Sequence, residues 1–191
     1  MMGIELLNNS GIKYIGSESA LQATEKTLIV VGVARGGTSL VAGTLSNLGV
    51  FSGTLSNAPV FEDVRLSSAF ESGNLKLAEQ VISEYDRSNK VWVFKRPSII
   101  NYLEEVHTRV RNPVYLFIFK DIFSIANRNS ISMKLDILNG IEKAHNDYSK
   151  ILSFIKRHEI NGFLLSYEKI MNNKEQYVDN MVSLVGLDSV S

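Results

Sequence analysis

Two long apolar runs dominate the hydrophobic pattern of the chain. Thr27–Ala34 and Val114–Phe119 are built almost entirely from β-branched, aromatic and other apolar residues. Continuous runs of this kind are typical of strands that are buried on both faces of a sheet. Shorter strands are predicted at Val91–Lys95 and Gly162–Ser166. None of the four shows the apolar/polar alternation of a half-exposed strand, so a parallel sheet is expected.

Helical periodicity separates these predicted strands. In Asp136–His158, apolar residues recur every three or four positions, as on one face of a helix. The other predicted helices are a segment from Leu40 that ends at Gly49, Val64–Tyr85 with a possible break at Ser72–Asn74, Ser98–Val110 with Ser98 as N-cap, Ile122–Met133, and Lys174–Leu184. Strands that alternate with helices predict an α/β fold with three layers, in which helices cover both faces of a parallel sheet.

The length of 191 residues suits a single domain, and neither a linker nor a repeat divides it. We therefore predict one domain over residues 1–191. Its first 26 residues form a lead-in of unknown role, for which a short strand or hairpin is the simplest expectation. The longest strongly apolar run is far shorter than the ~20 residues of a membrane helix, and no secretion signal is recognised. A cytoplasmic protein without a membrane span is expected.

Composition excludes several classes of function. Twenty basic residues balance twenty acidic ones, so the chain lacks the overall positive field that attracts nucleic acid. Any anion must therefore be bound by a local site. The absence of cysteine excludes disulfides, thiolate zinc sites and cysteine nucleophiles. The three histidines are too scattered to suggest a metal centre.

The segment after the first long run has the features of an anion-binding loop. It follows a buried strand, precedes a helix, and supplies two glycines, two hydroxyls and a guanidinium, which together favour an anion at a helix N-terminus. These residues are Arg35, Gly36, Gly37, Thr38 and Ser39. Compared with the pattern G-x-x-x-x-G-K-[ST], Thr38 stands where the lysine would hold the phosphates of a nucleoside triphosphate. A glycine turn without a ligand is the alternative.

Arg35–Ser39 resembles the [KR]-S-G-T-[ST] loop of the sulfotransferase family. Members of that family have a P-loop NTPase-like fold and use 3′-phosphoadenosine 5′-phosphosulfate (PAPS) as co-substrate, without a metal. The resemblance implies that this loop binds the 5′-phosphosulfate. Gly36 stands where the family has serine, which removes one hydroxyl donor.

Four further segments match family motifs in the family's order. Pro59–Asp63 resembles Gly-[FYW]-[FW]-Glu-Asp, and Trp92–Pro97 is similar to Trp-x-[WF]-Lys-[DS]-Pro. Val114–Ser130 looks like the 3′-phosphate segment, in which Arg-[DN]-Pro is followed by a serine. Phe163–Ile170 and then Val185–Asp188 resemble the ending Tyr-Glu-[DE]-Leu … Phe-Leu-Gly-Leu. The matches together cover most of the chain.

The 3′-phosphate segment departs from the family pattern. Lys120 stands in place of arginine, Ile122 in place of proline, and Arg128 at the position of the serine. A lysine supplies a point charge and no bidentate fork, so recognition of the 3′-phosphate is expected to differ. Arg128 follows Lys120 by two helical turns and could supply the fork. Lys120 and Arg128 are therefore the predicted 3′-phosphate residues.

Sulfuryl transfer places two demands on the residues around the donor. Charge that builds on the leaving oxygen must be stabilised, and the attacking hydroxyl must lose its proton. Glu62, in the Phe-Glu-Asp match, is the predicted base, with Asp63 as the adjacent helix cap. Lys95 ends a strand, where α/β folds place ligand-facing residues, and is predicted to face the transferring group. The structural alternatives are a capping role for Glu62 and a solvent-exposed Lys95.

Several other residues receive a weaker interpretation. Arg96 is acceptor-facing if the acceptor is acidic, and Tyr167–Glu168 shape the end of the last strand. The histidines are interpreted as ordinary helix residues. They are His107, His145 and His158.

The predicted function is transfer of a sulfuryl group from PAPS to a hydroxyl of a carbohydrate or small metabolite. Two alternatives remain open. A small P-loop kinase or NTPase would use Ser39 as a magnesium ligand and Asp121 as the strand-end aspartate. A nucleotide-binding relative without turnover is suggested by the departures at Gly36, Lys120 and Arg128.

Overall fold

The computed structural model of the chain describes residues 11–134 and 136–186, and its centre is a five-stranded sheet. The strands are β1 (Ile12–Ile15), β2 (Lys26–Val31), β3 (Val91–Lys95), β4 (Pro113–Phe119) and β5 (Gly162–Ser166). Their order across the sheet is β1-β5-β4-β2-β3. Strands β2 to β5 are parallel, whereas β1 pairs antiparallel with β5 at one edge. The sheet is therefore mixed, and the prediction of an entirely parallel sheet is corrected at its lead-in strand.

Helices cover both faces of the sheet, which confirms the predicted three-layer α/β fold. They are α1 (Glu18–Gln22), α2 (Thr38–Asn47), α3 (Val64–Glu71), α4 (Leu75–Ser88), α5 (Leu103–His107), α6 (Ile122–Met133), α7 (Ile137–Arg157), α8 (Tyr167–Asn172) and α9 (Lys174–Val185). Helices α3 to α7 pack on one face, and α2, α8 and α9 pack on the other. Within the described residues, no helix has the length and apolar character needed to cross a membrane.

Strand β2 shows why continuous apolar runs mark the centre of the sheet. Leu28 and Val30 point into the core under α2 and α9, while Ile29 and Val31 point into the core under α3 to α7. All four side chains are fully buried. Because successive side chains of a strand face opposite sides, a strand with a helical layer on each side needs apolar residues at every position.

One predicted helix is wrong. Over 98–110 the chain forms a 3-10 turn, Pro97–Asn101, followed by the short α5. Ser98 does not cap a helix; its hydroxyl donates to Glu71 Oε1 at 2.5 Å. Tyr102, at φ −140°, separates the turn from α5, so the two cannot form one continuous helix. The predicted break at 72–74 is confirmed, since α3 ends at Glu71 and the Asn74 side chain caps α4.

The topology brings the predicted site residues to one edge of the sheet. Strand β2 lies between β3 and β4. The helix that follows β2 packs on the opposite face of the sheet from the helix that follows β4, so the two connections diverge at the carboxyl ends of these strands. Ligands of α/β proteins bind in the crevice outside such a point. The loop 32–37 follows β2, Lys95 ends β3, and Lys120 follows β4. The final motif match, 185–188, extends beyond the described residues.

Candidate functional site

The loop after β2 is a tight turn that leads directly into α2. The backbone N–H of Gly36 donates to the carbonyl of Val33 at 2.8 Å. Arg35 and Gly37 both adopt the left-handed region, at φ 65° and 97°. For a residue other than glycine this costs of order 1–3 kcal/mol, and such strain concentrates at functional sites. No side chain caps α2, and its Leu40 N–H donates to the Gly37 carbonyl at 3.0 Å. The N–H groups of Thr38 and Ser39 have no acceptor within residues 11–134 and 136–186 and are open to an anion.

Both loop glycines are required by close contacts. A Cβ on Gly36 would lie 2.8 Å from the Val33 carbonyl oxygen, so the serine of the family pattern does not fit this turn. A Cβ on Gly37 would overlap the ring of Tyr167. The departure at Gly36 therefore follows from the tightness of the turn, and the loop keeps its backbone donors.

Three cations predicted to bind the donor line one cavity beside this loop. Arg35, Lys120 and Arg128 border a cavity of about 490 Å³, together with polar and apolar side chains of α6. The α6 residues are Ser124, Asn127, Ile131 and Ser132. No acidic side chain is among the lining residues. We call this space the donor cavity, and its three cations are Arg35, Lys120 and Arg128.

The guanidinium groups of the donor cavity differ from those of the other arginines. Outside the cavity, each arginine side chain donates to a carboxylate or carbonyl of the protein: Arg65, Arg87, Arg96, Arg109, Arg111 and Arg157. Arg35 and Arg128 donate to no protein acceptor within residues 11–134 and 136–186. Unneutralised cations in a recess raise the local potential and attract an anion.

Lys120 is held by two tyrosines. The Tyr148 hydroxyl, from α7, accepts from the Lys120 backbone N–H at 2.8 Å and donates to its carbonyl at 3.0 Å. The Lys120 ammonium lies 4.3 Å from the centroid of the Tyr167 ring, a cation–π contact. Neither tyrosine carries a charge that would neutralise the ammonium, and Lys120 forms no ion pair within residues 11–134 and 136–186.

Asp121, the strand-end aspartate of the kinase alternative, caps α6. Its Oδ1 accepts from the Ser124 backbone N–H at 2.7 Å. The hydrogen bond from this N–H holds the pKa of Asp121 below its usual value. The same residue's backbone N–H donates to Glu168 Oε1 at 2.9 Å, which joins the start of α6 to α8.

A second charged group lies beside the loop and is fully paired. Lys95 is 3 % exposed, and its ammonium donates to Glu62 Oε1 at 2.7 Å, to the Val60 carbonyl at 3.0 Å and to Ser39 Oγ at 3.2 Å. Burial lowers the pKa of Lys95, and the contact with Glu62 opposes that shift. Because Ser39 Oγ accepts from Lys95, the Ser39 hydroxyl proton can be donated to a ligand group bound at the loop.

Glu62 is bound at both carboxylate oxygens. Arg96 Nη1 donates to Glu62 Oε2 at 2.6 Å, and Arg96 Nε donates to Glu71 Oε1 at 2.8 Å. The hydrogen bond from Arg96 holds the pKa of Glu71 below its usual value. We name Glu62, Glu71, Lys95 and Arg96 the ion-pair cluster. Sequence reasoning missed the role of Glu71, because no motif links α3 to the residue after β3.

Asp63 fixes the segment that carries Glu62. Its Oδ1 accepts from the Arg65 backbone N–H at 3.1 Å, which confirms the predicted cap of α3. Its Oδ2 accepts from the Tyr85 hydroxyl at 2.5 Å. Gly53, at φ 112°, packs so closely on Asp63 that a Cβ would overlap the carboxylate. These contacts hold Glu62 at the junction of loop and helix.

Comparison with solved structures finds a match to the sulfotransferase domain of the olefin synthase from Synechococcus PCC 7002. The TM-score is 0.57 at 13% sequence identity, and the match covers 85% of this chain and 73% of that domain. The chain has a sulfotransferase-like fold. This confirms the expected P-loop-like α/β architecture. No protein-family model and no curated protein matches the chain.

In this sulfotransferase-like fold, the predicted site residues form two groups near the start of α2, the donor cavity and the ion-pair cluster. Ser39 connects them, since it belongs to the loop and its Oγ accepts from Lys95. Two histidines lie toward the opposite end of β4: His107 contacts the Tyr115 hydroxyl, and His158 pairs with Glu104. The role of each site residue stays a prediction.

Proposed function

We propose that this protein is a sulfotransferase that moves a sulfuryl group from PAPS to a hydroxyl of a carbohydrate or small metabolite. The carrying observation is the meeting of two unlike charged groups at the start of α2. On one side lie three cations in a cavity whose lining contains no acidic side chain, and on the other a buried lysine paired with a glutamate. The sulfotransferase-like fold supports the reaction class.

Donor binding would use the loop and the donor cavity together. The free N–H groups of α2 and the Arg35 guanidinium suit the 5′-phosphosulfate. Lys120 and Arg128, across the same cavity, suit the 3′-phosphate, with Arg128 supplying the bidentate fork that a lysine lacks. Both anionic ends of the nucleotide would then meet cations that form no ion pair with a carboxylate in the described part of the chain.

Transfer would use the ion-pair cluster. The acceptor oxygen forms a bond to sulfur as the bond from sulfur to the bridging phosphate oxygen breaks, and 3′-phosphoadenosine 5′-phosphate (PAP) leaves. Lys95 and the Ser39 hydroxyl would donate to the charge that develops on that oxygen. The acceptor proton goes to Glu62. When Lys95 turns from Glu62 Oε1 toward the leaving oxygen, that carboxylate oxygen becomes free to take the proton.

A nucleotide-binding protein without turnover is the second candidate. The observation that favours it is that Lys95 and Arg96 occupy both oxygens of Glu62. Nothing comparable favours the kinase alternative: Asp121 is a helix cap, and the buried Thr38 stands at the lysine position of a P-loop.

A transfer assay separates these functions. The protein is incubated with PAPS and a panel of sugars, phenols and aliphatic alcohols, and sulfated product and PAP are measured by mass spectrometry. Glu62→Gln is expected to lower turnover by roughly 10²–10⁴-fold, since it removes the base. Its affinity for PAP should stay within about twofold, because Glu62 belongs to the acceptor side.

Glu142→Gln, on the exposed side of α7, is the matched control and should behave as wild type. Unchanged turnover in Glu62→Gln would remove Glu62 as the base. Binding of PAP with no product from any acceptor would support the non-enzymatic candidate. Tighter binding of magnesium–ATP than of PAP would support a kinase.

A further inference from the structure

One aromatic ring contacts both halves of the proposed donor site. Tyr167 is the first residue of α8, directly after β5. The ring lies against Gly37 so closely that no side chain fits there. The Lys120 ammonium lies 4.3 Å from the centroid of the same ring. Tyr167 therefore connects the loop that would bind the 5′-phosphosulfate with the lysine that would bind the 3′-phosphate.

The kind of contact matters for Lys120. A carboxylate partner would position the ammonium but would also cancel its charge. An aromatic face attracts the ammonium through the ring quadrupole and leaves its protons free. Within the described part of the chain, the Lys120 ammonium donates no hydrogen bond to a protein acceptor, so its donors remain for a ligand.

A lysine at this position binds an anion more tightly if its side chain is already held in place before the anion arrives. Its ammonium ends a flexible four-carbon stem, whereas an arginine presents a rigid planar fork. The backbone of Lys120 is fixed by the Tyr148 hydroxyl at both its N–H and its carbonyl. The Tyr167 ring adds a fixed resting place for the side chain, so less rotamer freedom is lost when an anion binds.

We infer that Tyr167 is a positioning residue that sets the preference of the donor site for a nucleotide with a 3′-phosphate. This rests on the proposed function, because it takes Lys120 as a 3′-phosphate residue. The ring is the active part: the Tyr167 hydroxyl makes no hydrogen bond within residues 11–134 and 136–186. The contact between Glu168 and the Asp121 backbone ties α8 to α6 and keeps the ring beside Lys120.

Calorimetric titration of the full chain with PAP and with adenosine 5′-monophosphate (AMP) tests this role. Tyr167→Leu is expected to weaken PAP binding about tenfold and AMP binding by no more than about twofold, since AMP lacks the 3′-phosphate. Tyr167→Phe keeps the ring and should bind both nucleotides as wild type does. Tyr14→Leu, on the edge strand β1, is the matched control and should change neither affinity.

A double-mutant cycle separates positioning from general structural damage. In a Lys120→Met background, Tyr167→Leu should no longer affect PAP binding, because the charge that the ring positions is absent. Carbon–proton NMR of the wild-type protein tests the contact between Tyr167 and Lys120 directly, even if Tyr167→Leu does not fold. The ε-methylene signal of Lys120, assigned through Lys120→Arg, should show a ring-current shift and should move when PAP binds.

Several results would overturn the inference. Equal losses of PAP and AMP affinity in Tyr167→Leu would mean that the ring supports only the loop. A loss in Tyr167→Phe as large as in Tyr167→Leu would assign the effect to the hydroxyl. An unshifted Lys120 signal would deny the contact itself. If Tyr167→Leu lowers the PAP preference but PAPS yields no product, the positioning role stands while the proposed transfer fails. If wild type does not bind PAP, both fail.

Discussion

Two groups of cations lie at the same edge of the sheet and differ in how they are neutralised. In the ion-pair cluster, every charged side chain has an opposite charge within 2.8 Å. In the donor cavity, Arg35, Lys120 and Arg128 share about 490 Å³ with no acidic side chain in the lining. Both groups flank the start of α2, so the contrast arises within one small region.

The contrast separates charges that are paired within the fold from charges that we propose bind a ligand. Removing one member of a buried ion pair leaves its partner unpaired and destabilises the protein. Removing an unpaired cation from a positive cavity relieves repulsion and costs little stability. Substitutions on the two sides are therefore expected to have opposite effects on stability and on nucleotide binding.

Lys95→Met is expected to produce the largest effect on stability. It leaves Glu62 with only Arg96 and removes three hydrogen bonds from a nearly buried ammonium, at a cost of about 3 kcal/mol in the free energy of unfolding. Urea denaturation measures this change. Lys90→Met, at an exposed lysine just before β3, is the matched control and should stay within about 0.5 kcal/mol of wild type. Equal stability of the two variants would show that the cluster does not support the fold.

Arg35→Gly is expected to weaken nucleotide binding and, at the same time, to increase the stability of the fold. Loss of the guanidinium should weaken PAP binding roughly 30-fold, as expected for a charge-assisted contact to a phosphate group. Glycine adopts the left-handed region without strain, so the free energy of unfolding should rise by about 1 kcal/mol.

Calorimetry and urea denaturation measure the two quantities for Arg35→Gly. Arg35→Ala is the comparison variant: it should lose the same affinity without the same gain in stability, because alanine keeps the Cβ that is strained at positive φ. A fall in stability in Arg35→Gly, or unchanged affinity in both variants, would contradict the contrast.

Arg128→Ala is expected to produce the smallest of the three effects. It should weaken PAP binding about tenfold and leave AMP binding unchanged, since only PAP carries the group that this side chain would contact. Arg87→Ala, an exposed arginine on α4 that donates to the Ser83 carbonyl, is the control for loss of a surface charge. Equal weakening of both nucleotides would move Arg128 away from the 3′-phosphate.

Local pattern was sufficient for much of the fold. The bounds predicted for Val91–Lys95, Gly162–Ser166 and Ile122–Met133 agree with β3, β5 and α6. Each is a clear apolar or periodic segment with a glycine, proline or charged residue at one of its ends or directly beyond it. The helix predicted from Ser98 was wrong because the backbone leaves helical geometry at Tyr102. The Ser98 hydroxyl, predicted as a cap, binds Glu71 on another element, and no local pattern reports such a partner.

For the candidate site, the sequence indicated which residues are candidates but not which partners they contact. The sequence indicates Arg35, Lys95 and Lys120 from their positions after strands. It does not indicate which cations the fold neutralises, since that depends on carboxylates brought in from distant elements, as Glu71 is to Arg96. The role of Tyr167 was also hidden, because its contacts join three separate loops of the sheet edge.

The most direct test of the donor cavity is calorimetric titration of the unmodified protein with PAP, magnesium–ATP and AMP under one set of conditions. If cations without carboxylates form a site for a nucleotide with phosphates at both ends of the ribose, PAP should bind at one site at least about tenfold more tightly than either competitor, a difference of about 1.4 kcal/mol. Binding of magnesium–ATP as tight as that of PAP, or no binding of PAP, would contradict the account.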